Sequence, residues 1–142
     1  MIKKIIWSIL GLIALGIFVA WLTQSYWLSD WNQEQAAEVK LFQERGLALG
    51  KEADQQQCLD SALESFNQCS GFTCTVKHGQ FLRVCLQHAS PSEGFCDEVP
   101  AFNEERSEDD KSWARHACWS RDVRGEGCRI LMRQQQQFCS QK

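Results

Sequence analysis

Residues 58–85 read CLDSALESFNQCSGFTCTVKHGQFLRVC, and the four cysteines in that stretch decide the fold. Cys58 and Cys69 are eleven positions apart, and so are Cys74 and Cys85. At about 100° per residue, eleven steps close roughly three turns, so each pair falls on one helix face, about 16 Å apart along the axis. A disulfide requires Cα atoms within about 7 Å. Helical cysteines at this spacing therefore cannot bond each other, whereas two such helices can be joined side by side. Both pairs are symmetric about Ser70-Gly71-Phe72-Thr73, and Gly71 suits the left-handed position that ends a helix. The spacing predicts an antiparallel hairpin bridged by Cys58–Cys85 and Cys69–Cys74.

The same logic extends to the other four cysteines. Cys128 and Cys139 repeat the eleven-residue interval, and Cys118 faces Cys128 across residues 121–127, which contain Gly125 and Gly127. This predicts Cys118–Cys128 and leaves Cys139 for Cys96. All eight cysteines lie beyond residue 57, and an even number so confined reads as a disulfide framework in an oxidising compartment. In its paired spacing, the 58–85 stretch resembles the coiled-coil-helix-coiled-coil-helix proteins, which carry twin cysteine pairs in a helical hairpin. The resemblance covers that stretch alone, with intervals one residue longer than the family's usual one. It implies architecture only.

Local preferences agree with the hairpin on one side and oppose it on the other. Asp54 with Gln57 forms a capping box, and behind it Cys58, Leu59, Ala62, Leu63, Phe66 and Cys69 make a stripe at helical spacing. Phe72-Thr73-Cys74-Thr75-Val76 instead favours a strand, and Gly79 interrupts the helix pattern, so only Gln80 to Ala89 reads as plainly helical. An extended Cys74 would put the Cys69–Cys74 pairing in question while Cys58–Cys85 survives. Ser90-Pro91-Ser92-Glu93 opens a short turn that Val99-Pro100 ends. Ser107 with Asp110 repeats the capping box ahead of Trp113, Ala114, Ala117 and Cys118. A last helix spans Cys128 to Cys139, with Gln134-Gln135-Gln136-Gln137 read as its solvated face.

The amino end is of another kind. After Met1-Ile2-Lys3-Lys4, the run Ile5 to Leu22 is apolar with Ser8 as its one strongly polar residue. Eighteen residues make roughly 27 Å of helix, close to the ~30 Å of a bilayer's hydrocarbon core. Trp7 sits near one end, and Trp21, Tyr26, Trp27 and Trp31 gather at the other, as at two membrane–water boundaries. Lys3 and Lys4 before the run, with Asp30 and Glu34 after it, predict a cytoplasmic amino terminus and an exported remainder. A cleaved signal would need small residues at its cleavage site, where this chain has Phe18-Val19-Ala20 and then Trp21. No cysteine lies close enough behind the run for a lipoprotein anchor. The expected organisation is a transmembrane anchor (1–28), a juxtamembrane helical stalk (29–53) and a disulfide-rich α-helical domain (54–142). Asp30 or Asn32 caps the stalk, which runs through Ala36, Val39, Phe42 and Leu47 until Gly46 and Gly50 weaken it. The fold class is all-α: a single N-terminal transmembrane helix and a small disulfide-stapled helical-hairpin domain, located at the bacterial inner membrane with that domain in the periplasm.

Length and charge bound the function. At 142 residues and 16.3 kDa the chain supports about one domain. Its net charge is -3, and setting Lys3 and Lys4 aside from the 15 basic residues leaves 13 against 18 acidic ones. No nucleic acid is expected as a partner, since phosphate contacts need a basic surface. The bilayer, met by the N-terminal helix, and a membrane or periplasmic protein are the expected partners.

Reactive motifs are scarce. There is no C-x-x-C, hence neither a thioredoxin-like pair nor a haem attachment site, and no two cysteines stand two to four positions apart as in the tightest zinc patterns. His78, His88 and His116 could join cysteines around a metal only if thiols were free, so neither metal nor cofactor is expected. Gly46-Leu47-Ala48-Leu49-Gly50-Lys51 has one residue too few between its glycines for a phosphate loop, and Glu52 stands where Ser or Thr should bind magnesium. No serine elbow or catalytic constellation can be nominated. Trp113, His116, Trp119 and Arg121 form a candidate binding patch, against the plainer reading that tryptophans on a capped helix are core. The sequence thus points to a non-catalytic, membrane-anchored binding or scaffold subunit of the envelope that contacts another membrane or exported protein. The alternative is a thiol–disulfide exchange or redox-sensing protein with one labile bond, for which Cys69–Cys74 closes the shortest loop.

Overall fold

A computed structural model describes residues 2–141, with side chains described for residues 5–23 and 31–141. Lys3, Lys4, Tyr26, Trp27 and Asp30, which entered the membrane reading, lie outside the described side chains. The described residues form five helices, α1 (Ile2–Gly50), α2 (Gln55–Asn67), α3 (Phe72–His88), α4 (Glu108–Trp119) and α5 (Glu126–Ser140). The fold is all-α, and the described residues contain no strand, only a single bridge between Asp54 and Ser90.

The chain divides into two compact units, residues 1–37 and residues 38–142. The described residues of the first are all helical. Its Ile5–Thr23 segment has a mean hydropathy of 2.5 and none of it is buried, so its apolar side chains have no protein to cover them. Trp7, Trp21 and Trp31 are all exposed. An uncovered apolar helix of this length together with disulfides marks a membrane-anchored or exported protein.

Helix α1 does not restart at Asp30 or Asn32. It continues unbroken to Gly50, because residues 17–45 contain neither Gly nor Pro and are rich in helix-forming Ala, Leu, Gln, Glu and Lys. The segment expected as a stalk is divided by the unit boundary, and residues 38–50 belong with the cysteine-rich unit. Gly46 and Gly50 are points of close approach there. A Cβ on Gly46 would stand 2.4 Å from the Phe81 carbonyl oxygen, and one on Gly50 would stand 2.6 Å from that of Cys85. The residues that weaken α1 by propensity let α3 lie against its backbone.

Within the second unit, α2 and α3 form the hairpin, α3 packs on α5, and α4 packs on α5. The core joins Leu59, Leu63 and Phe66 of α2, Leu82 and Leu86 of α3, Phe95 of the connector, and Leu131 and Met132 of α5. Four disulfides staple the unit, pairing Cys58 with Cys85, Cys69 with Cys74, Cys96 with Cys139 and Cys118 with Cys128. Their Cα separations run from 5.5 to 6.2 Å, inside the range a bridge requires.

Several local expectations are corrected. Phe72–Val76 is helical, the first turn of α3. Cys74 is tied to Cys69, Thr75 donates its hydroxyl to the Gly71 carbonyl, and both side chains are buried, so tertiary constraint overrides strand preference. Gly79 lies inside α3 rather than breaking it. Gly71 precedes α3 as its N-cap, at φ 95°, a conformation that favours glycine, while α2 ends at Gln68. The glutamine run is not a uniformly solvated face, since Gln135 and Gln136 are buried. Gln135 Nε2 donates to the Phe95 carbonyl at 2.8 Å, and Gln136 Nε2 donates to Asp110 at 3.1 Å.

The start of α2 shows how the connector is used. Gln57 N–H donates to Asp54 Oδ1, Gln56 N–H to the Ser92 hydroxyl and Gln55 N–H to the Ser90 carbonyl. Three of the otherwise unpaired first-turn amides are thereby satisfied, two of them from beyond α3. Turns occupy residues 93–98, inside the expected bounds, but Ser92 serves α2.

Candidate functional site

Two places on the cysteine-rich unit gather groups capable of chemistry or recognition. The first is the tip of the hairpin. Cys69 lies just past the end of α2, Cys74 lies in the first turn of α3, and His78 is one turn further along the same helix. A ring nitrogen of His78 and the two sulfurs all lie within 4.8 Å of one another. Their exposure is unequal. Cys69 is exposed, while Cys74 is 7% and His78 8% exposed. Elsewhere Cys58, Cys85 and Cys128 are wholly covered, Cys118 is 2% exposed, and Cys96 and Cys139 are partly buried against the core. The residues joining the two tip cysteines are all exposed, and Phe72 is 83% exposed.

His78 is held edge-on between two rings, with centroids 5.1 Å from Phe42 and 6.1 Å from Phe66. Burial lowers its pKa from the ordinary histidine value, and the neighbouring Lys77 ammonium, itself ion-paired with Glu38, lowers it further. The ring is thus neutral at pH 7, the form that accepts a proton or ligates a metal. While Cys69–Cys74 is closed its sulfurs are not thiolates, so the three groups do not form a thiolate metal site in this state.

This burial makes stability pH-dependent. The folded-state pKa of His78 is depressed, so between the unfolded value of about 6.5 and the folded one the unfolded chain binds more protons. Stability is full above about pH 6.5 and declines as pH falls towards the folded pKa. Melting temperature measured from pH 7.5 to 5 should therefore fall, and His78→Phe, which keeps an aromatic ring between Phe42 and Phe66, should flatten that slope. An unchanged slope in the variant contradicts this assignment.

The second place is the outer side of α4. His116 and Trp119 are exposed and meet edge to face at 5.7 Å. Trp113 turns away to pack against the core. Arg121 is occupied internally, with Nε 3.5 Å from Asp60 and a 3.1 Å donation from its guanidinium to the Ala117 carbonyl. The structure brings His116 and Trp119 together and withdraws Trp113 from the patch expected on sequence grounds.

Between α4 and α5, a cavity of about 190 Å³ is lined by Arg106, Asp110, Lys111, Glu126, Arg129 and Arg133 among others. Its charges are largely matched. Arg106 and Arg129 both pair with Glu126, and Lys111 pairs with Glu108 at 2.7 Å. The Ser107 backbone N–H and then its hydroxyl hold the Asp110 carboxyl below the usual range, closing the capping box. Arg133 lies over Phe102 at 4.6 Å and donates to the Asn103 carbonyl.

His78 is the group that sequence reasoning left unattached to the hairpin tip. The signal was the interval from Cys74 to His78, four residues, which places both on one face once Phe72–Val76 is read as helix. The Gly46–Lys51 motif proves to be the end of α1 and the turn after it, with Gly46 against α3. Comparison with family models, with curated proteins and with solved structures gives no match.

Proposed function

We propose that the chain is a membrane-anchored binding or scaffold subunit of a bacterial cell envelope. In this reading Ile5–Thr23 crosses the inner membrane with the amino terminus in the cytoplasm. The cysteine-rich unit stands in the periplasm and contacts another membrane or exported protein. The observation that carries it is the conjunction of an apolar helix with none of its length buried and a unit whose eight cysteines are all in disulfides. The first needs lipid and the second an oxidising compartment. Basic residues before the span and acidic ones after it support the orientation. The exposed His116–Trp119 edge is the contact surface, since exposed tryptophan is enriched where proteins bind one another.

Two measurements on protein extracted from native membranes test this. Intact mass should give the uncleaved 16.3 kDa chain less the eight hydrogens lost in four bridges. Chemical cross-linking before detergent extraction should yield one reproducible partner band that weakens in Trp119→Ala. A mature chain beginning near Trp21 would refute the anchor, and cross-linking that gives no reproducible band would refute the scaffold role.

A further inference from the structure

We propose that Cys69–Cys74 is a thiol–disulfide exchange site for a dithiol polypeptide, with Cys69 as the sulfur attacked, Cys74 as the sulfur that leaves, and His78 as the group that carries its proton. The asymmetry of the pair is the main observation. An attacking thiolate must reach a disulfide sulfur, and of the eight cysteines Cys69 alone is exposed. Cys74 is covered and adjoins the buried imidazole. A gap of up to 4.8 Å is one that a single water can span in proton transfer. The same tip presents Phe72, 83% exposed on the segment between the two cysteines, as an apolar contact for a polypeptide. No other bridge combines an open sulfur, a shielded sulfur and a histidine.

The step balances without any other reactant. A thiolate of the dithiol attacks Cys69 Sγ, forming a mixed disulfide as the Cys69–Cys74 bond breaks. Cys74 leaves with the electron pair and receives, through the imidazole of His78, the proton that the attacking thiol gave up. The second thiol of the dithiol then attacks its own sulfur in the mixed disulfide and expels Cys69 as a thiol. Two electrons have passed to the protein, and the polypeptide now carries a disulfide. In the reverse direction Cys74 gives its proton to neutral His78 as it attacks.

This activity is independent of the scaffold reading, because it concerns a different surface and a purified protein. The full chain in detergent micelles is mixed with a limiting amount of a synthetic peptide containing C-x-x-C beside an apolar residue. The mixture is quenched with acid, alkylated and mapped by mass spectrometry. Cys69 and Cys74 should become labelled about tenfold or more faster than any of the other six, as exposure dictates. Glutathione in place of the peptide should react at Cys69 without the advantage that Phe72 gives the peptide, and Phe72→Ala should remove the difference. With glutathione disulfide, Cys74→Ser should form an adduct at Cys69 about tenfold faster than Cys69→Ser forms one at Cys74. His78→Gln, with its other three bridges mapped intact, should slow reclosure at least about tenfold. Opening of another bridge first, or all four together, overturns the site. Equal adduct rates overturn the assigned direction of attack, and unchanged reclosure in His78→Gln overturns the role of the histidine.

Discussion

Reducing all four disulfides at 37 °C removes roughly half of the helical circular dichroism of the full chain in detergent, because α2 to α5 unfold while the apolar helix persists in its micelle. The expectation rests on the size of the unit and the placement of its bridges. A small helical core barely offsets the backbone entropy of about 1–2 kcal/mol per residue that ordering costs. The bridges recover part of it by restricting the unfolded chain. The sequence separations are 43, 27, 10 and 5 residues. On the chain-entropy relation they contribute from about 4 kcal/mol for Cys96–Cys139 down to about 2 for Cys69–Cys74. Together they rival the whole net stability of an ordinary domain, roughly 5–15 kcal/mol. Melting followed with and without reductant checks this, and an unchanged spectrum and transition would contradict it. The ranking also matters for the tip: Cys69–Cys74 contributes least, so its opening alone leaves the unit folded, with burial still holding the first turn of α3.

Gly46→Ala and Gly50→Ala should each destabilise the cysteine-rich unit by about 1–3 kcal/mol, the cost of overpacking a close contact. This sign is opposite to the one helix propensity gives, where Ala in place of Gly gains about 1 kcal/mol. The new methyl carbons would meet the carbonyl oxygens of Phe81 and Cys85 at 2.4 and 2.6 Å, and backbone has no rotamer into which to retreat. Gly79 supplies the control within α3. A Cβ there meets only Gln134 and Leu131 at 3.7 and 3.9 Å, ordinary contact distances. Gly79→Ala should therefore be neutral or stabilising by up to about 1 kcal/mol. Urea unfolding of the three variants in one detergent separates the readings, and stabilisation by Gly46→Ala would show that α1 and α3 do not approach closely.

The parts of this fold that were legible in the sequence are those set by chain-local geometry. The eleven-residue intervals dictated which helix faces the cysteines occupy, and symmetry about Ser70–Thr73 then led to the pairings found in the hairpin. Asp54 with Gln57 and Ser107 with Asp110 were readable as caps because both partners of each box lie within one turn. The features that were missed depend on distant neighbours. Thr75 and Val76 prefer strands in isolation, and only the bridge at Cys74 and burial against the rest of the unit make them helical. Nothing local separates Gln135 and Gln136, which turn inward to Phe95 and Asp110, from Gln137, which is exposed. Of the candidate patch, the exposed pair His116 and Trp119 could be nominated by residue type, but the withdrawal of Trp113 could not. His78 was visible as a residue and invisible as a neighbour of the tip sulfurs, because its relation to them required the helix that local preference denied.

The serines that complete the start of α2 impose an order on biogenesis. A thirteen-residue helix is marginal by itself, and two of its leading amides wait for acceptors that are synthesised more than thirty residues later. As the polypeptide emerges from its amino end, α2 lacks those two hydrogen bonds when its own residues appear. It gains the second of them only once Ser92 arrives, by which time all four cysteines of the hairpin are also present. The two cysteines of the Cys58–Cys85 bridge, 27 residues apart, have thus both been made before the helix that carries Cys58 has all of its first-turn hydrogen bonds.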